Sequence, residues 1–317
     1  MDSFEDRLMA KIKTLSETLW EGKANNQAIR DWLENFTGRS CEIQDERLHA
    51  LFLLSNFMYF GSRQVRELLR AVYRDLYRYP IIEQIRKSNK DTLDLNIIES
   101  QFREKRERTR FLGVGNPSES GYHLLYYFRQ ENRLPKTNFI HTHQIFDRYS
   151  RPGPSHLRSP EVERYIFIDD LCGSGNQGIE YSEIVEDIKQ IKADAFIAYY
   201  MLFATEDGLA NLRNNTKFDD VQCIFELDSS FKLFASNSRV FSKPSDGISK
   251  LTAQSMCRTY GQILSPLGSL GYNDCQLLLG FHHNTPDNTL PIFWYDEQSS
   301  PKWAPIFRRY PKDYGWT

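Results

Sequence analysis

Two adjacent carboxylates followed by a glycine-rich turn are the residues of this sequence best suited to chemistry. Asp169 and Asp170 follow the apolar run Tyr165–Ile168, and the turn Gly173–Gln177 precedes a predicted helix over 178–191. Paired carboxylates can accept hydrogen bonds from vicinal hydroxyls or attend a hydrated Mg²⁺. A glycine-rich turn that opens a helix offers backbone N–H groups to a phosphate. Because one strand–turn–helix carries both features, it indicates a site for a sugar phosphate.

A parallel α/β sheet with helices on both faces is predicted to position these residues. Short apolar runs that alternate with helical stretches are typical of strands buried on both faces. The predicted strands are Phe111–Val114, Asn138–His141, Tyr165–Ile168, Ala195–Ala204, Val221–Leu227 and Leu277–Phe281. Ligands of open α/β sheets bind beyond the carboxyl ends of the strands, which is where Asp169 and Asp170 stand.

Two regions with different sequence patterns flank the predicted core. Apolar positions at three- and four-residue spacing predict helices over Met9–Trp20, Asn26–Phe36 and Glu46–Tyr77, with a break at Gly61–Ser62. Prolines at 286, 291, 301, 305 and 311, interleaved with aromatic residues, predict an irregular lobe packed on the core. We therefore expect a helical region over 1–108, an α/β core over 109–283 and an aromatic C-terminal lobe over 284–317.

Composition excludes some function classes. The 317 residues include 40 lysines and arginines against 42 acidic residues, for a net charge of −2. Overall charge therefore gives no support for binding nucleic acid or a membrane surface. No apolar run approaches the roughly 20 residues of a membrane span, and the N-terminal residues lack a signal-peptide core. The five cysteines form no CxxC pair, so we expect reduced thiols and a cytoplasmic globular protein.

The segment Arg164–Gln177 resembles the signature of the type I phosphoribosyltransferases. That signature is an apolar strand, two acids, and a loop that binds 5-phosphoribosyl-1-pyrophosphate. The resemblance implies that Asp169 and Asp170 hold the ribose hydroxyls and contact Mg²⁺ indirectly, through the ligand. It also implies that the 5′-phosphate is bound by the loop residues Gly173, Ser174, Gly175, Asn176 and Gln177.

The order of segments along the chain extends this resemblance over roughly residues 111–230. The family's pyrophosphate loop corresponds to the turn before the predicted helix Tyr122–Gln130, with ligand-binding residues Gly115, Asn116, Ser118, Glu119, Ser120 and Gly121. The family's closing loop corresponds to His141–Pro160, where Arg148 and Arg151 are suited to bind the ligand. Arg158 joins Asp169 and Asp170 in the implied catalytic set.

One departure from the family leaves two functions open. Gly173 stands where purine-type enzymes carry an Asp that serves as general base, so purine salvage is not expected. The first function is an enzyme that transfers a phosphoribosyl group or acts on a related glycosidic bond. The second is a catalytically inactive sensor in which the same pocket regulates a partner protein or ribonucleoprotein.

The segments 280–294 and 50–62 resemble divergent phosphoribosyltransferase-like proteins of bacterial conflict and anti-phage loci, some of them encoded beside retron reverse transcriptases. This resemblance implies a defence effector or accessory protein acting on nucleotides or nucleic acid. The implied partners are a phosphoribosyl-type small molecule, a defence-system protein or a reverse transcriptase with its RNA and DNA, and a second copy of the chain.

Four histidines stand at the ends of predicted strands. His141 and His143 follow one strand, and His282 and His283 follow another. They could serve a metal site, active-site hydrogen bonding or acid–base work, or the packing of the protein alone. The sequence leaves these three roles open.

Overall fold

A computed structural model describes residues 3–115, 120–147, 149–150, 153–154, 156–243, 247–296 and 302–309. Within these residues the α-helices are α1 (Phe4–Thr18), α2 (Asn26–Leu33), α3 (Ile43–Leu54), α4 (Ser62–Ala71), α5 (Tyr79–Ser88), α6 (Leu95–Glu107), α7 (Ser120–Glu131), α8 (Asn176–Glu180), α9 (Ser182–Ile191), α10 (Glu206–Asn215), α11 (Lys250–Leu264) and α12 (Pro291–Trp294). The strands are β1 (Met58–Phe60), β2 (Thr109–Gly113), β3 (Tyr149–Ser150), β4 (Gly153–Pro154), β5 (Arg164–Cys172), β6 (Phe196–Thr205), β7 (Asp220–Leu227) and β8 (Leu279–Phe281). A π-helical segment, Val72–Arg78, joins α4 to α5.

The chain divides into two compact units. The first unit comprises residues 1–65 and 227–317, and the second comprises residues 66–226. This division differs from the three consecutive segments expected from the sequence. Residues 66–108 belong with the sheet because their side chains pack on it: the Tyr77 hydroxyl donates to Thr109 Oγ1 at 2.9 Å, and the Tyr77 ring lies 5.0 Å from that of Phe111.

The second unit is built on a four-stranded sheet in the order β2-β5-β6-β7. Strand β5 pairs in parallel with β2 on one side and with β6 on the other. Its apolar residues from Tyr165 to Ile168 are buried, as expected for a strand covered on both faces. The predicted fold class, a parallel α/β sheet flanked by helices, is confirmed.

The predicted strand Asn138–His141 is wrong as an extended element. A single parallel bridge joins Phe139 to Phe111, and 3₁₀ turns at Lys136–Asn138 and Thr142–Gln144 flank it. The Asn138 amide donates to the backbone carbonyls of Arg106 and Thr109 at 2.6 and 2.9 Å. That side-chain bonding competes with a regular ladder and keeps the segment turned.

The first unit holds a strand pair that the sequence did not predict. β1 pairs in parallel with β8, so the predicted strand Leu277–Phe281 belongs to this unit and lies outside the four-stranded sheet. The aromatic tail packs in the same unit: the ring of Phe293 stacks on Trp32 at 5.4 Å, and that of Phe307 on Phe57 at 4.4 Å. The tail thus belongs to the first unit, whereas the sequence analysis grouped it as a lobe on the α/β core.

Among the described residues, every helix is too short or too polar to cross a membrane.

Candidate functional site

The two acids of the signature segment lie at the carboxyl end of the inner strand β5. Residues two apart in a strand share a face, so Asp169 lies on the face of the buried Phe167, and Asp170 on the opposite face. Asp169 is only 3% exposed, whereas Asp170 is half-buried. The Tyr199 hydroxyl donates to Asp169 Oδ2 at 2.7 Å, and the Asp170 N–H donates to Asp169 Oδ1 at 2.9 Å. The two carboxyls therefore have different environments.

The environment of Asp169 favours its neutral form. Burial raises the pKa of Asp169 well above its usual range, and the neighbouring Asp170 carboxylate raises the pKa further. The hydrogen bonds from Tyr199 and from the Asp170 N–H lower the pKa of Asp169, but they do not outweigh burial. Burial and the carboxyl of Asp169 likewise raise the pKa of Tyr199. Asp170, in contrast, has the more exposed carboxyl of the pair.

The turn after β5 is anchored to α10 through its carbonyl oxygens. The Thr205 hydroxyl donates to the Gly173 carbonyl at 2.5 Å, and the Asn211 amide donates to the Ser174 carbonyl at 2.7 Å. The C=O and N–H of a trans peptide point in opposite directions. The N–H groups of Ser174 and Gly175 therefore point away from α10, and within the described part of the chain neither has a hydrogen-bond partner.

Glycine is required at two positions by this packing. Gly175 has φ +82°, and a Cβ there would lie 2.9 Å from the Gly208 carbonyl oxygen. A Cβ on Gly208 would lie 2.5 Å from the Gly173 carbonyl oxygen. Successive N–H groups beside a left-handed residue form an anion-binding concavity, which is what this turn presents.

The predicted pyrophosphate loop begins beside the same strand end. Gly113 of β2 is in register with Ile168 of β5, and the Val114 N–H donates to the Ile168 carbonyl at 3.3 Å. The next residue, Gly115, has φ +94°. The Tyr181 hydroxyl accepts from the Gly115 N–H at 2.6 Å and donates to the Gly115 carbonyl at 3.0 Å. This contact ties the start of the loop to the segment between α8 and α9.

The other predicted ligand residues are placed as follows. Asn176 and Gln177 begin α8, with Asn176 exposed and Gln177 half-buried. Ser120 and Gly121 begin α7. Arg158 is exposed and pairs with Asp147, with Nε 3.2 Å from Oδ1. The predicted residues Asn116, Ser118, Glu119, Arg148 and Arg151 lie outside the described residues.

The histidines give no support for a metal centre. The rings of His141 and His143 stack at 5.4 Å in the second unit, and those of His282 and His283 meet edge-on at 5.0 Å in the first. The described residues contain no group of three or more His, Cys, Asp and Glu side chains that could hold a metal ion.

Sequence reasoning missed four residues that shape the site. Thr205 and Asn211 anchor the turn, Tyr199 hydrogen-bonds to Asp169, and Tyr181 holds Gly115. The role of Thr205 could have been predicted, because this residue directly follows the apolar run of the neighbouring strand and caps α10. The roles of the two tyrosines could not, since an aromatic residue in an apolar element is typical of a core.

Comparison with known proteins gives one family and several distant structures. The profile of the family described as PRTase-CE matches residues 29–309. No curated protein matches the sequence. Helicobacter pylori xanthine-guanine-hypoxanthine phosphoribosyltransferase is similar at 9% identity and a TM-score of 0.26, over 54% of this chain and 89% of that one. Orotate phosphoribosyltransferase from Aeropyrum pernix is similar at 12% identity and a TM-score of 0.23, over 53% of this chain and 78% of that one.

Proposed function

Because the chain belongs to the PRTase-CE family, we propose that the carboxyl end of β5 binds a 5-phosphorylated ribose, with 5-phosphoribosyl-1-pyrophosphate as the expected ligand. The chain is a phosphoribosyltransferase-like protein, and this proposal assigns a ligand to its candidate site. One observation carries the proposal: the N–H groups of Ser174 and Gly175 point away from the anchors of the turn on α10 and have no hydrogen-bond partner among the described residues.

The N–H groups of Ser174 and Gly175 are suited to bind the 5′-phosphate. The carbonyls of Gly173 and Ser174 already accept hydrogen bonds, so the turn need not rearrange to present its N–H groups to an anion. Preorganised donors bind an anion without the entropic cost of ordering the loop. The half-buried Ser174 hydroxyl is placed to add a third donor.

Asp170 and Asp169 have different roles in this proposal. Asp170 accepts hydrogen bonds from the ribose hydroxyls, because its carboxyl is the more exposed of the two. Asp169 positions Asp170 by accepting its N–H. Because burial favours the neutral form of Asp169, it also reduces the repulsion that two carboxylates would exert on a bound phosphate. The catalytic role expected for Asp169 thus becomes a positioning role.

Mg²⁺ fits this site only together with the ligand. Asp170 offers carboxylate oxygens of the kind that Mg²⁺ prefers, and the ligand's pyrophosphate and hydroxyl oxygens would complete the coordination. When bound, the ion would neutralise charge on the pyrophosphate. Arg158 and the other arginines predicted for the closing loop are proposed to contact the same group.

The experiment is a calorimetric titration with 5-phosphoribosyl-1-pyrophosphate and Mg²⁺ of the wild type, Asp170→Asn and Glu183→Gln. Glu183 is exposed on α9 and has no assigned role in the site, so its variant matches the charge change alone. Hydrogen bonds to a charged group contribute about 1.5–3 kcal/mol, so we expect Asp170→Asn to weaken binding about 10- to 100-fold. Glu183→Gln should bind as the wild type does. Equal binding by all three proteins would contradict the proposal.

A second candidate function is a sensor without transferase activity. It is favoured by Gly173, which supplies no side chain as a base and whose carbonyl is already bonded to Thr205. Single-turnover release of pyrophosphate from bound 5-phosphoribosyl-1-pyrophosphate, measured with a panel of acceptor bases, separates the two functions. Release that is lost in Asp170→Asn supports the transferase. The defence role and a ribonucleoprotein partner stay predictions from the resemblance.

A further inference from the structure

A cavity lies in the second unit, at the ends of the sheet strands opposite to the candidate site. It has a volume of about 350 Å³ and is lined by Tyr77, Ile81, Arg164, Phe196, Tyr200 and Asp220, among others. Arg164, Phe196 and Asp220 are the first residues of β5, β6 and β7. Asp169 is five residues further along β5, roughly 16 Å at the rise of a strand. The cavity is therefore separate from the site at the carboxyl end, and its volume is within the range of small-molecule pockets.

One wall of the cavity is formed by the π-helical segment and the start of α5. Pro80 explains the wide turn, because proline has no N–H to donate to the carbonyl of Leu76 and its ring would clash with that carbonyl in a regular α-helix. The wider turn places Tyr77 and Ile81 along the cavity, while Pro80 and Gln84 stay exposed at its edge. Single π-helical turns occur frequently at functional sites.

Arg164 brings a guanidinium into the cavity without a carboxylate partner. Its guanidinium lies 4.7 Å from the centre of the Phe196 ring, and Nη2 donates to the Gln84 side chain at 3.3 Å. In the described part of the chain, no carboxylate lies within ion-pair distance of Arg164. The stacked, planar fork is thus held in place with N–H donors left for a ligand.

Asp220 brings a carboxylate that is already oriented. The Tyr200 hydroxyl donates to Asp220 Oδ2 at 3.0 Å, and the Gln222 amide donates to Oδ2 and Oδ1 at 2.7 and 2.9 Å. A carboxylate offers about four lone-pair positions and three of these bonds are already made, so about one position remains for a ligand. The neighbouring Asp219 is paired with Lys189 at 2.7 Å, so it does not compete for the same ligand.

We propose that this cavity binds a planar heteroaromatic ligand of the nucleobase class. Its N–H edge would donate to Asp220, its acceptor edge would accept from Arg164, and its ring would pack against the aromatic and aliphatic wall. Guanine fits this arrangement: one N–H of its donor edge suits the acceptor position left on Asp220, and O6 with N7 suits the fork of an arginine. Aromatic stacking adds to the binding of any such ring. This site does not depend on the function proposed for the carboxyl end of β5.

The experiment is a calorimetric titration of the full chain with guanosine, and with uridine as a comparison that lacks the paired O6 and N7 acceptors. We expect guanosine to bind at least tenfold more tightly than uridine. Asp220→Asn, which keeps an oxygen for the Tyr200 hydroxyl, should weaken guanosine binding at least tenfold. Gln84→Trp fills the edge of the cavity from an exposed position and removes the acceptor of the Arg164 Nη2 bond, so it should abolish binding. Glu83→Gln, an exposed neighbour on α5, should leave binding unchanged.

Two further titrations identify the site at which guanosine binds. Saturating 5-phosphoribosyl-1-pyrophosphate and the Asp170→Asn substitution should both leave guanosine affinity unchanged. Loss of guanosine binding in either arm would assign the base to the carboxyl end of β5 and overturn the proposal. So would the absence of guanosine binding to the wild type, or equal binding by the wild type, Asp220→Asn and Gln84→Trp.

Discussion

At the first turn of α10, two physical effects predict opposite changes in stability for the substitution Gly208→Ala. Alanine is a better helix former than glycine by about 1 kcal/mol, so helix propensity alone predicts a more stable protein. The structure predicts a less stable one. A Cβ at position 208 would lie 2.5 Å from the Gly173 carbonyl oxygen, 2.9 Å from Cys172 Sγ and 3.0 Å from the Cys172 carbonyl oxygen.

The size of the effect follows from those contacts. A carbon normally approaches a carbonyl oxygen to about 3.3 Å, so the Gly173 carbonyl must move by about 0.8 Å. Overpacking of this kind costs about 1–3 kcal/mol, and the displaced carbonyl loses a Thr205 bond of about 1 kcal/mol. After the helix gain is subtracted, we expect a loss of about 1–3 kcal/mol in the free energy of unfolding. The Ser174 N–H belongs to the same peptide and moves too, so ligand binding should weaken about tenfold.

Urea unfolding and calorimetric titration with 5-phosphoribosyl-1-pyrophosphate measure the two effects on the same protein. The control is Asn214→Ala, at an exposed position of α10. It raises helix propensity without adding a contact and should stabilise the protein by a few tenths of a kcal/mol. A Gly208→Ala protein that is as stable as Asn214→Ala and binds normally would refute the packing argument.

Three other substitutions have defined outcomes. For Asp169, the folded-state pKa is raised by burial, so wild-type stability falls as pH rises from about 4 toward that pKa. Asp169→Asn does not titrate, and its stability relative to the wild type should increase with pH across that window. For Glu46, burial raises the pKa, but hydrogen bonds from Tyr260 and from two backbone N–H groups outweigh it and lower the pKa overall. Its stabilisation is therefore present above the unfolded value and lost as pH falls through the folded value. Glu46→Gln should cost about 2 kcal/mol at pH 7 and less in acid. Tyr181→Phe should speed amide exchange at Gly115 and weaken ligand binding, because it removes both bonds to that residue.

Each of these outcomes has a clear contradiction. Parallel stability–pH curves for Asp169→Asn and the wild type would show that Asp169 titrates normally in the folded protein. If Glu46→Gln lost the same free energy of unfolding at every pH, the negative charge of Glu46 would not contribute to stability. Unchanged exchange at Gly115 in Tyr181→Phe would mean that the hydroxyl does not hold the loop.

The strand and turn of the site were predictable because their signals are local. The apolar residues before Asp169, the two acids and the glycines after them identify a buried strand that ends at a ligand-binding edge. β1 was missed because Met58–Phe60 continues the apolar stripe of the preceding helix, and the pairing that makes it a strand is with β8, about 220 residues along the chain. Periodicity carries no information on such distant partners.

The roles within the site depend on partners that only the folded chain brings together. Asp169 and Asp170 are alike in sequence, and they differ in structure because Tyr199 lies against one face of β5. The orientation of the turn depends on Thr205 and Asn211, which are more than thirty residues from it in the chain. The pocket beside Pro80 gave no signal, because a proline inside an apolar helical pattern predicts only a break or a kink.

A structure of the chain with 5-phosphoribosyl-1-pyrophosphate and Mg²⁺ tests the central claim most directly. The account predicts the 5′-phosphate within hydrogen-bond distance of the N–H groups of Ser174 and Gly175, and the ribose hydroxyls on Asp170. It predicts that Asp169 keeps its bond to Tyr199 and does not contact the ligand. A ligand bound elsewhere on the chain, or a ribose held by Asp169 with Asp170 turned away, would contradict the account.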